Sequence, residues 1–488
     1  MMAPVSIRVL KYPEGQHNKA FLLTFSNGSE VVAKLPNPNA GPNVLTTASE
    51  VATMDYVRNI IGLPAPQVLS WNSDSSNSVG SEYLILEKAK GTALGEIWYK
   101  LPRLSKFNYI KQVVQMETKL ASFSFPEHGC IYYAQDLPTR CEPIHQHGLP
   151  GDGMRQFSIG PVVDSKHWSD GCTDSALSRG PWSGLSDYAT SIGINERIEV
   201  TKNANQRINY FRGSTTHEMR GEYLELVEKY LLVAPFLTQH GPADTDLLQS
   251  TLWHHDLHLN NIYVDPKSET ITNIIDWQGV KAAPLILQAG IPRMVRHTSP
   301  VPLGLTLPER PDGYEALPEE NRLQADELYE SALCHKLYEV FSQKRNPLHY
   351  EAIRHNDTWK SPVIDPINAI IGAWSSREVY KLRASLMAVM DHWSELQYGN
   401  ECPISFTEDE RRMHEEELEN RCFLEQMMQE LQKAGILPAD GIVDPGDYEA
   451  ICERNRILKE EYMKLAEDDG QRVWMEKVWP YQDRPEDA

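Results

Sequence analysis

Trp253-His254-His255-Asp256-Leu257-His258-Leu259-Asn260-Asn261-Ile262, followed by Ile274-Ile275-Asp276-Trp277, carries the fold assignment of this chain. Asp256 is placed to accept a proton from a hydroxyl group. Asn261, a few residues on, and Asp276, beyond a short gap, are both able to reach one metal ion. That order of carboxylate, amide and carboxylate is what a Mg-ATP phosphotransfer site needs.

The intervening residues supply the geometry. Ile262 to Val264 reads as a strand, Asp265 to Ser268 as a turn and Ile271 to Ile275 as a second strand. A hairpin of this kind returns Asp276 to the side of Asn261, which gathers oxygen donors for a hard cation. A single Asp in a loop is more often a cap or turn residue, so the weight rests on the ordered set. A second reading starts from His254, His255, Asp256 and His258, whose side chains suit zinc. It needs further ligands from elsewhere and leaves Asn261 and Asp276 without a role. In the phosphotransfer reading His254 is structural, its ring bonded to backbone so that the loop presents Asp256, and His258 stays open between substrate contact and structure.

Upstream, Ala20 to Phe25 and Glu30 to Leu35 flank Ser26-Asn27-Gly28-Ser29, a strong hairpin signal. Lys34 follows Val31-Val32-Ala33 in what reads as the third strand, where a phosphate-pairing lysine belongs. A lysine there is otherwise a solvated edge residue. Glu50 falls on a helix expected from about Ala48 to Ile61 and ended by Gly62 and Pro64. It has two readings: an ion pair with Lys34, or the far member of a capping box, Thr47-Ala48-Ser49-Glu50. Glu14 to Lys19 occupies the place of a phosphate-covering loop but lacks repeated glycines and any Walker signature. Glu82 to Glu87 reads as a buried strand and Lys88 to Gly91 as a connector. Backbone groups of Glu87 and Ala89 can meet an adenine edge there, or the segment is a plain linker.

With these residues in place, the chain resembles the aminoglycoside phosphotransferase and choline kinase-like branch of the protein-kinase-like fold, and within it the fungal group of altered inheritance of mitochondria protein 9. The likeness is carried by Glu14 to Pro36, Thr46 to Arg58, Glu82 to Gly91, Arg179-Gly180-Pro181-Trp182 and His254 to Gly290. It implies an α+β, two-lobed protein-kinase-like fold: a small antiparallel β lobe over residues 1–90 that binds nucleotide, and a large, mainly helical lobe over 91–488. It implies Asp256 as base, Asn261 and Asp276 on Mg2+, and Lys34 with Glu50 at the phosphates of ATP. The expected acceptor is a small-molecule hydroxyl, because Asp276-Trp277-Gln278 stands where protein kinases have Asp-Phe-Gly and no Ala-Pro-Glu follows. A binding or scaffold protein that keeps this fold without turnover is the competing reading. The group also implies mitochondria as a location, but Met1 to Lys11 is too short and too weakly basic to read as a presequence, which favours the cytoplasm.

Composition sets the outer bounds. A chain of 488 residues with 41% hydrophobic content can bury a large core and divide into domains. No run is long enough to cross a membrane as a helix. Seven cysteines without CxxC pairs read as reduced thiols. A formal charge of -21 opposes a nucleic-acid partner and permits a cationic substrate. Much of that charge is local to the last 88 residues, with 24 acids against 11 Lys and Arg, so it says little of any pocket. Gly129 to Thr251 reads poorly. Gly148 to Gly153 and Ser165 to Arg179 look like long loops, and Trp168, Arg179, Trp182 and Tyr188 either line an acceptor pocket or anchor the loops. Helices are expected over Leu323 to Phe341, Ile370 to Trp393 and Glu408 to Lys433, and a frayed end over Tyr481 to Ala488.

Overall fold

The computed structural model describes residues 6–137 without 14 and 16, residue 144, residues 156–168, 176–239 without 214 and 215, 246–433 without 357–360, 397, 398 and 400, and 448–479 without 467. Its packing falls into two compact units, Met1–Ile192 with Pro235–Ile364, and Gly193–Ala234 with Asp365–Ala488. The expected loop Gly148 to Gly153 and the chain end Tyr481 to Ala488 lie outside the described residues.

The first unit opens on an antiparallel sheet of five strands: β1 (Ser6–Lys11), β2 (Asn18–Phe25), β3 (Glu30–Pro36), β4 (Val68–Asn72) and β5 (Tyr83–Glu87), in the order β1-β2-β3-β5-β4. The Asn-Gly turn between β2 and β3 forms as expected. Gly28 takes φ 79, a left-handed conformation that glycine adopts without a Cβ clash, and Phe25 N–H closes the turn on Ser29 O at 2.9 Å. The resulting register sets Lys34 opposite Ala20 on β2 and Leu84 on β5. Lys34 is therefore buried in mid-sheet and is not a solvated edge residue.

Helix α1 (Leu45–Tyr56) follows β3 and starts before Ala48. The capping box does not form. Glu82, just ahead of β5, accepts from Val44 N at 2.8 Å and Thr47 Oγ1 at 2.6 Å, so a carboxylate distant in sequence takes the N-cap amide and a first-turn hydroxyl of the helix. Glu50 is thereby released for another partner. The helix continues as a wide turn, Val57–Ile61, to Gly62 at φ 75.

Beyond β5 the connector is stitched to the hairpin that precedes Asp276. Thr92–Ala93 pairs with Ile262–Asp265, which pairs with Thr270–Ile274 in the register Ile262 to Ile274. Lys90 N donates to Asn273 Oδ1 at 3.0 Å, and Gly91 at φ 94 lies so close that a Cβ there would sit 2.1 Å from Val264 O. The core under this region gathers Tyr56 and Val57, Ile110 and Val113 of the helix Arg103–Ala121, and Ile262, Ile274 and Trp277. The helix Glu319–Arg345 adds Tyr338. Among the described residues the remainder is mainly helix around a second five-stranded sheet that includes Ser250–Leu252 and Lys281–Pro284, so the class is α+β with a small antiparallel lobe and a large, mainly helical portion.

The poorly legible stretch contains the strands Gly129–Tyr133 and Phe157–Gly160 and the helices Leu185–Asn203 and Arg220–Leu237. Its aromatic residues act as anchors: Trp182 and Tyr188 close around His128 with ring centroids 5.1 and 4.4 Å away, and Arg179 stacks over Trp168 at 4.1 Å. In the second unit the expected helix Glu408–Lys433 is present, and its Glu417 is buried among Arg212, Arg383 and Arg421. The expected continuous segment Ile370 to Trp393 is not one helix. The chain leaves Ser361–Ile370, passes Gly372 at φ 64 and Arg377 at φ 60, and resumes as Val379–Asp391, because two left-handed residues cannot continue a right-handed helix. Among the described residues, no helix is long and apolar enough to cross a membrane, and Cys130, Cys334, Cys402, Cys422 and Cys452 are free thiols.

Candidate active site

Three residues far apart in sequence meet at Lys34. Its Nζ lies 2.6 Å from Glu50 Oε1 and 2.7 Å from Asp276 Oδ1. Strand β3 supplies the lysine, the second turn of α1 the glutamate, and the loop after the hairpin Ile262–Ile274 the aspartate. Burial pushes the Lys34 ammonium down, but Glu50 and Asp276 outweigh it, so its pKa rises above the ordinary lysine range. Lys34 in turn holds the Asp276 carboxyl below its usual range, against the effect of burial. Burial pushes Glu50 up, Lys34 pulls it down, and the net shift is upward. The ammonium thus keeps Asp276 ionised while Glu50 bears the desolvation.

The hairpin Ile262–Ile274 sets Asp276 beside the preceding loop, as the sequence pattern leads one to expect. Ile275 N donates to Asn261 O at 3.0 Å, and Asn261 Nδ2 donates to Asp256 O at 2.9 Å. Asp276 takes φ 63, a left-handed backbone that turns its carboxylate toward Lys34, and the next residue, Trp277, is buried with its Nε1 donating to Ile274 O at 2.9 Å. His254 lies edge-on to Trp277 at 4.8 Å and bonds Ile275 O through Nε2 at 3.0 Å. Burial lowers its pKa to about 4, so it is a neutral structural residue at neutral pH. Among the described residues, no group of three His, Cys, Asp or Glu side chains converges as a metal site would require. Within those residues the histidines do not gather into a three-ligand cluster.

Asn261 Oδ1 and Asp276 Oδ2 accept no hydrogen bond from the described residues, and both are oxygen donors of the kind a hard cation takes. The chemistry of these donors fits magnesium. Asp256 is more open: Arg293 Nη1 donates to its Oδ1 at 2.8 Å, and His258 Nε2 stands 3.7 Å from its Oδ2. At the connector, Glu87 N donates to Gln67 O at 2.8 Å, while its side chain pairs with Lys90 at 3.2 Å and Arg58 at 3.4 Å. The amide of Glu87 is thus already engaged, and Ala89 follows two residues later on the same connector. Glu14 and Gln16 of the expected phosphate-covering loop lie outside the described residues. Gly15 N reaches Asn18 O at 3.2 Å.

Three residues of this site had no distinct signal in the sequence. Arg293 is a lone arginine in a loop, and Glu82 precedes a strand with nothing to mark it as a cap. Gln278 follows Asp276-Trp277 and ties two segments together, accepting from Asn18 Nδ2 at 2.7 Å and donating to Ala40 O at 3.1 Å.

Residues 8–287 match the model of the phosphotransferase enzyme family. A subtelomeric hrmA-associated cluster protein of Aspergillus fumigatus is 29% identical, with 98% of this chain and 97% of that protein covered. Altered inheritance of mitochondria protein 9 of Lachancea thermotolerans is 24% identical over 89% of this chain and 75% of that protein. Among solved structures, a GDP complex of wild-type aminoglycoside 2'-phosphotransferase-IIIa overlays loosely, with 14% identity, a TM-score of 0.32, and coverage of 80% of this chain and 94% of that one. Since the family model takes in more than half of its residues, this chain belongs to the phosphotransferase enzyme family and is related to the fungal altered inheritance of mitochondria proteins.

Proposed function

We propose that the protein transfers the γ-phosphoryl group of ATP to a hydroxyl of a small molecule. The observation that carries this reading is the buried Lys34 ammonium held between Glu50 and Asp276, with Asp276 in turn beside Asn261 and the Asp256 loop. In this reading Lys34 pairs with phosphate oxygens and Glu50 keeps its side chain in place. Asn261 and Asp276 hold Mg2+, which when bound offsets charge on the phosphates. Asp256 orients the acceptor hydroxyl and takes its proton. The hydroxyl oxygen forms a bond to the γ-phosphorus, the bond from that phosphorus to the β,γ-bridging oxygen breaks, and ADP leaves with the electron pair.

The connector belongs to the same proposal, with the lobes meeting near residue 90 and the backbone of Glu87 and Ala89 facing the adenine edge. The partner is a small alcohol and not a nucleic acid, in keeping with the charge of -21. We place the protein in the cytoplasm, with mitochondria as the alternative suggested by the printed location of the altered inheritance relatives.

Thermal unfolding with ATP, with and without magnesium, tests the site. Magnesium-dependent stabilisation that vanishes in Asp276→Ala is the expected result. The absence of any shift at millimolar Mg-ATP would favour a scaffold that kept the fold without turnover.

A further inference from the structure

The turn that presents Arg293 is built into the protein. Met294 and Val295 are buried in the core beside it. Met294 N donates to Leu257 O at 3.0 Å, which docks the turn on the Asp256 loop itself. Val295 N and Arg296 N both reach Pro292 O at 3.0 Å, and the Arg296 guanidinium folds back on Ile291 O at 3.1 and 2.8 Å. Arg293 has its side chain 62% exposed, and its tip meets Asp256. A guanidinium carries five N–H donors. Among the described residues Arg293 uses one of them, on Asp256 Oδ1.

The stretch of sequence that contains this turn runs against the charge of the chain. Asp and Glu outnumber Lys and Arg 68 to 47 overall, yet residues 277–308 contain no acid at all and include Lys281, Arg293, Arg296 and His297. The net acidity of the protein is thus reversed in the segment that touches the candidate base. A cationic alcohol would meet like charge at Arg293, and a neutral one would have nothing to draw the guanidinium off Asp256.

We propose that the acceptor is an anionic alcohol, a hydroxy acid or a phosphorylated polyol, and that Arg293 leaves Asp256 to bind its carboxylate or phosphate. The inference rests on the kinase reading and names the substrate class for it. In the free protein Arg293 masks Oδ1 of the base. An arriving anion takes the planar donor fork, for which carboxylate and phosphate are matched partners, and Oδ1 becomes free for the hydroxyl proton. Arg293 is a specificity residue in this scheme, and the base is exposed only to acceptors able to release it.

The test uses full-length protein saturated with Mg-ADP. Calorimetric binding is measured for gluconate and glycerol 3-phosphate and for glucose, glycerol and kanamycin as neutral and cationic counterparts, with ADP formation from Mg-ATP followed for the same compounds. We expect gluconate or glycerol 3-phosphate to bind, and the better of the two tells carboxylate from phosphate. In Arg293→Gln that binding should weaken by roughly 10- to 100-fold, the range of a lost charge-assisted bond, while Arg293→Lys should keep part of it. For a turned-over anion the loss should appear mainly in KM. Equal binding of anions to wild type and Arg293→Gln, preference for glucose, glycerol or kanamycin, or no anion binding by protein that does bind Mg-ADP would each overturn the proposal. If Mg-ATP itself gives no stabilisation, the kinase reading falls instead, and Arg293-dependent binding of anions without nucleotide would still establish the anion site.

Discussion

Asp276 reaches back across 242 residues to Lys34, with its Oδ1 2.7 Å from the ammonium that also serves Glu50. One buried cation therefore balances two carboxylates, and removing it leaves Glu50 unpaired in the interior. Lys34→Met should destabilise the protein by about 3 kcal/mol in urea unfolding, as breaking one side of a buried pair does. The double variant Lys34→Met with Glu50→Gln should recover part of that loss, because no uncompensated charge remains. Additive losses would mean that the two residues do not interact.

Asp256→Asn keeps the shape of the loop but removes the proton acceptor. Turnover of an identified acceptor should fall by about 10²- to 10⁴-fold, while magnesium-dependent stabilisation by ATP persists. Survival of full turnover would remove Asp256 from the role of base.

Glu117, on the helix Arg103–Ala121, is buried and accepts from Tyr338 Oη at 2.7 Å. Burial pushes its carboxyl up to about 8, against the pull of that hydrogen bond. The folded state then holds a proton that the unfolded state releases near 4.5, so its contribution to stability is full below that pH and is lost as pH rises toward 8. At complete ionisation the loss is on the order of 4 kcal/mol. Glu117→Gln should flatten the stability profile between pH 5 and 9 measured by chemical unfolding, and an unchanged slope would count against a buried neutral acid.

Glu417 behaves in the opposite sense. Burial raises its pKa, but Arg212 at 2.8 Å, Asn209 at 3.1 Å and Arg383 at 3.2 Å more than reverse this, and it lies at about 2. Its stabilisation is complete above the ordinary carboxylate pKa and is lost as pH falls toward 2, a change of about 3 kcal/mol. Glu417→Ala should lower the midpoint of unfolding at pH 7 and remove part of the acid sensitivity below pH 4.

The legible features were those that sit in short stretches of sequence. The Asn27-Gly28 turn fixed the frame of β2 and β3, and the apolar runs around Asp265 to Ser268 fixed the hairpin that returns Asp276 to Asn261. Glu50 was ambiguous because both of its readings use the same helix end. Only the arrival of Glu82 at Val44 and Thr47 separates them, and nothing within Thr47 to Glu50 encodes that contact. Arg293 was illegible for a similar reason. Its meaning depends on Met294 bonding Leu257, a pairing between loops with no periodicity to announce it. The break after Ile370 was hidden by hydrophobic residues that suit a helix, although the backbone at Gly372 and Arg377 does not allow one.

Gly91 has a consequence for anyone who recombines members of this family. With Val264 O at 2.1 Å from where a Cβ would stand, and Lys90 fastened to Asn273, the stretch after β5 is a seam sewn into the Asp276 hairpin rather than a spacer. A chimera cut at residue 90 that takes its sheet from one relative and its hairpin from another must match both sides of this seam. Exchanges that carry residues 88–93 together with 262–274 should yield folded hybrids where a cut through the seam does not.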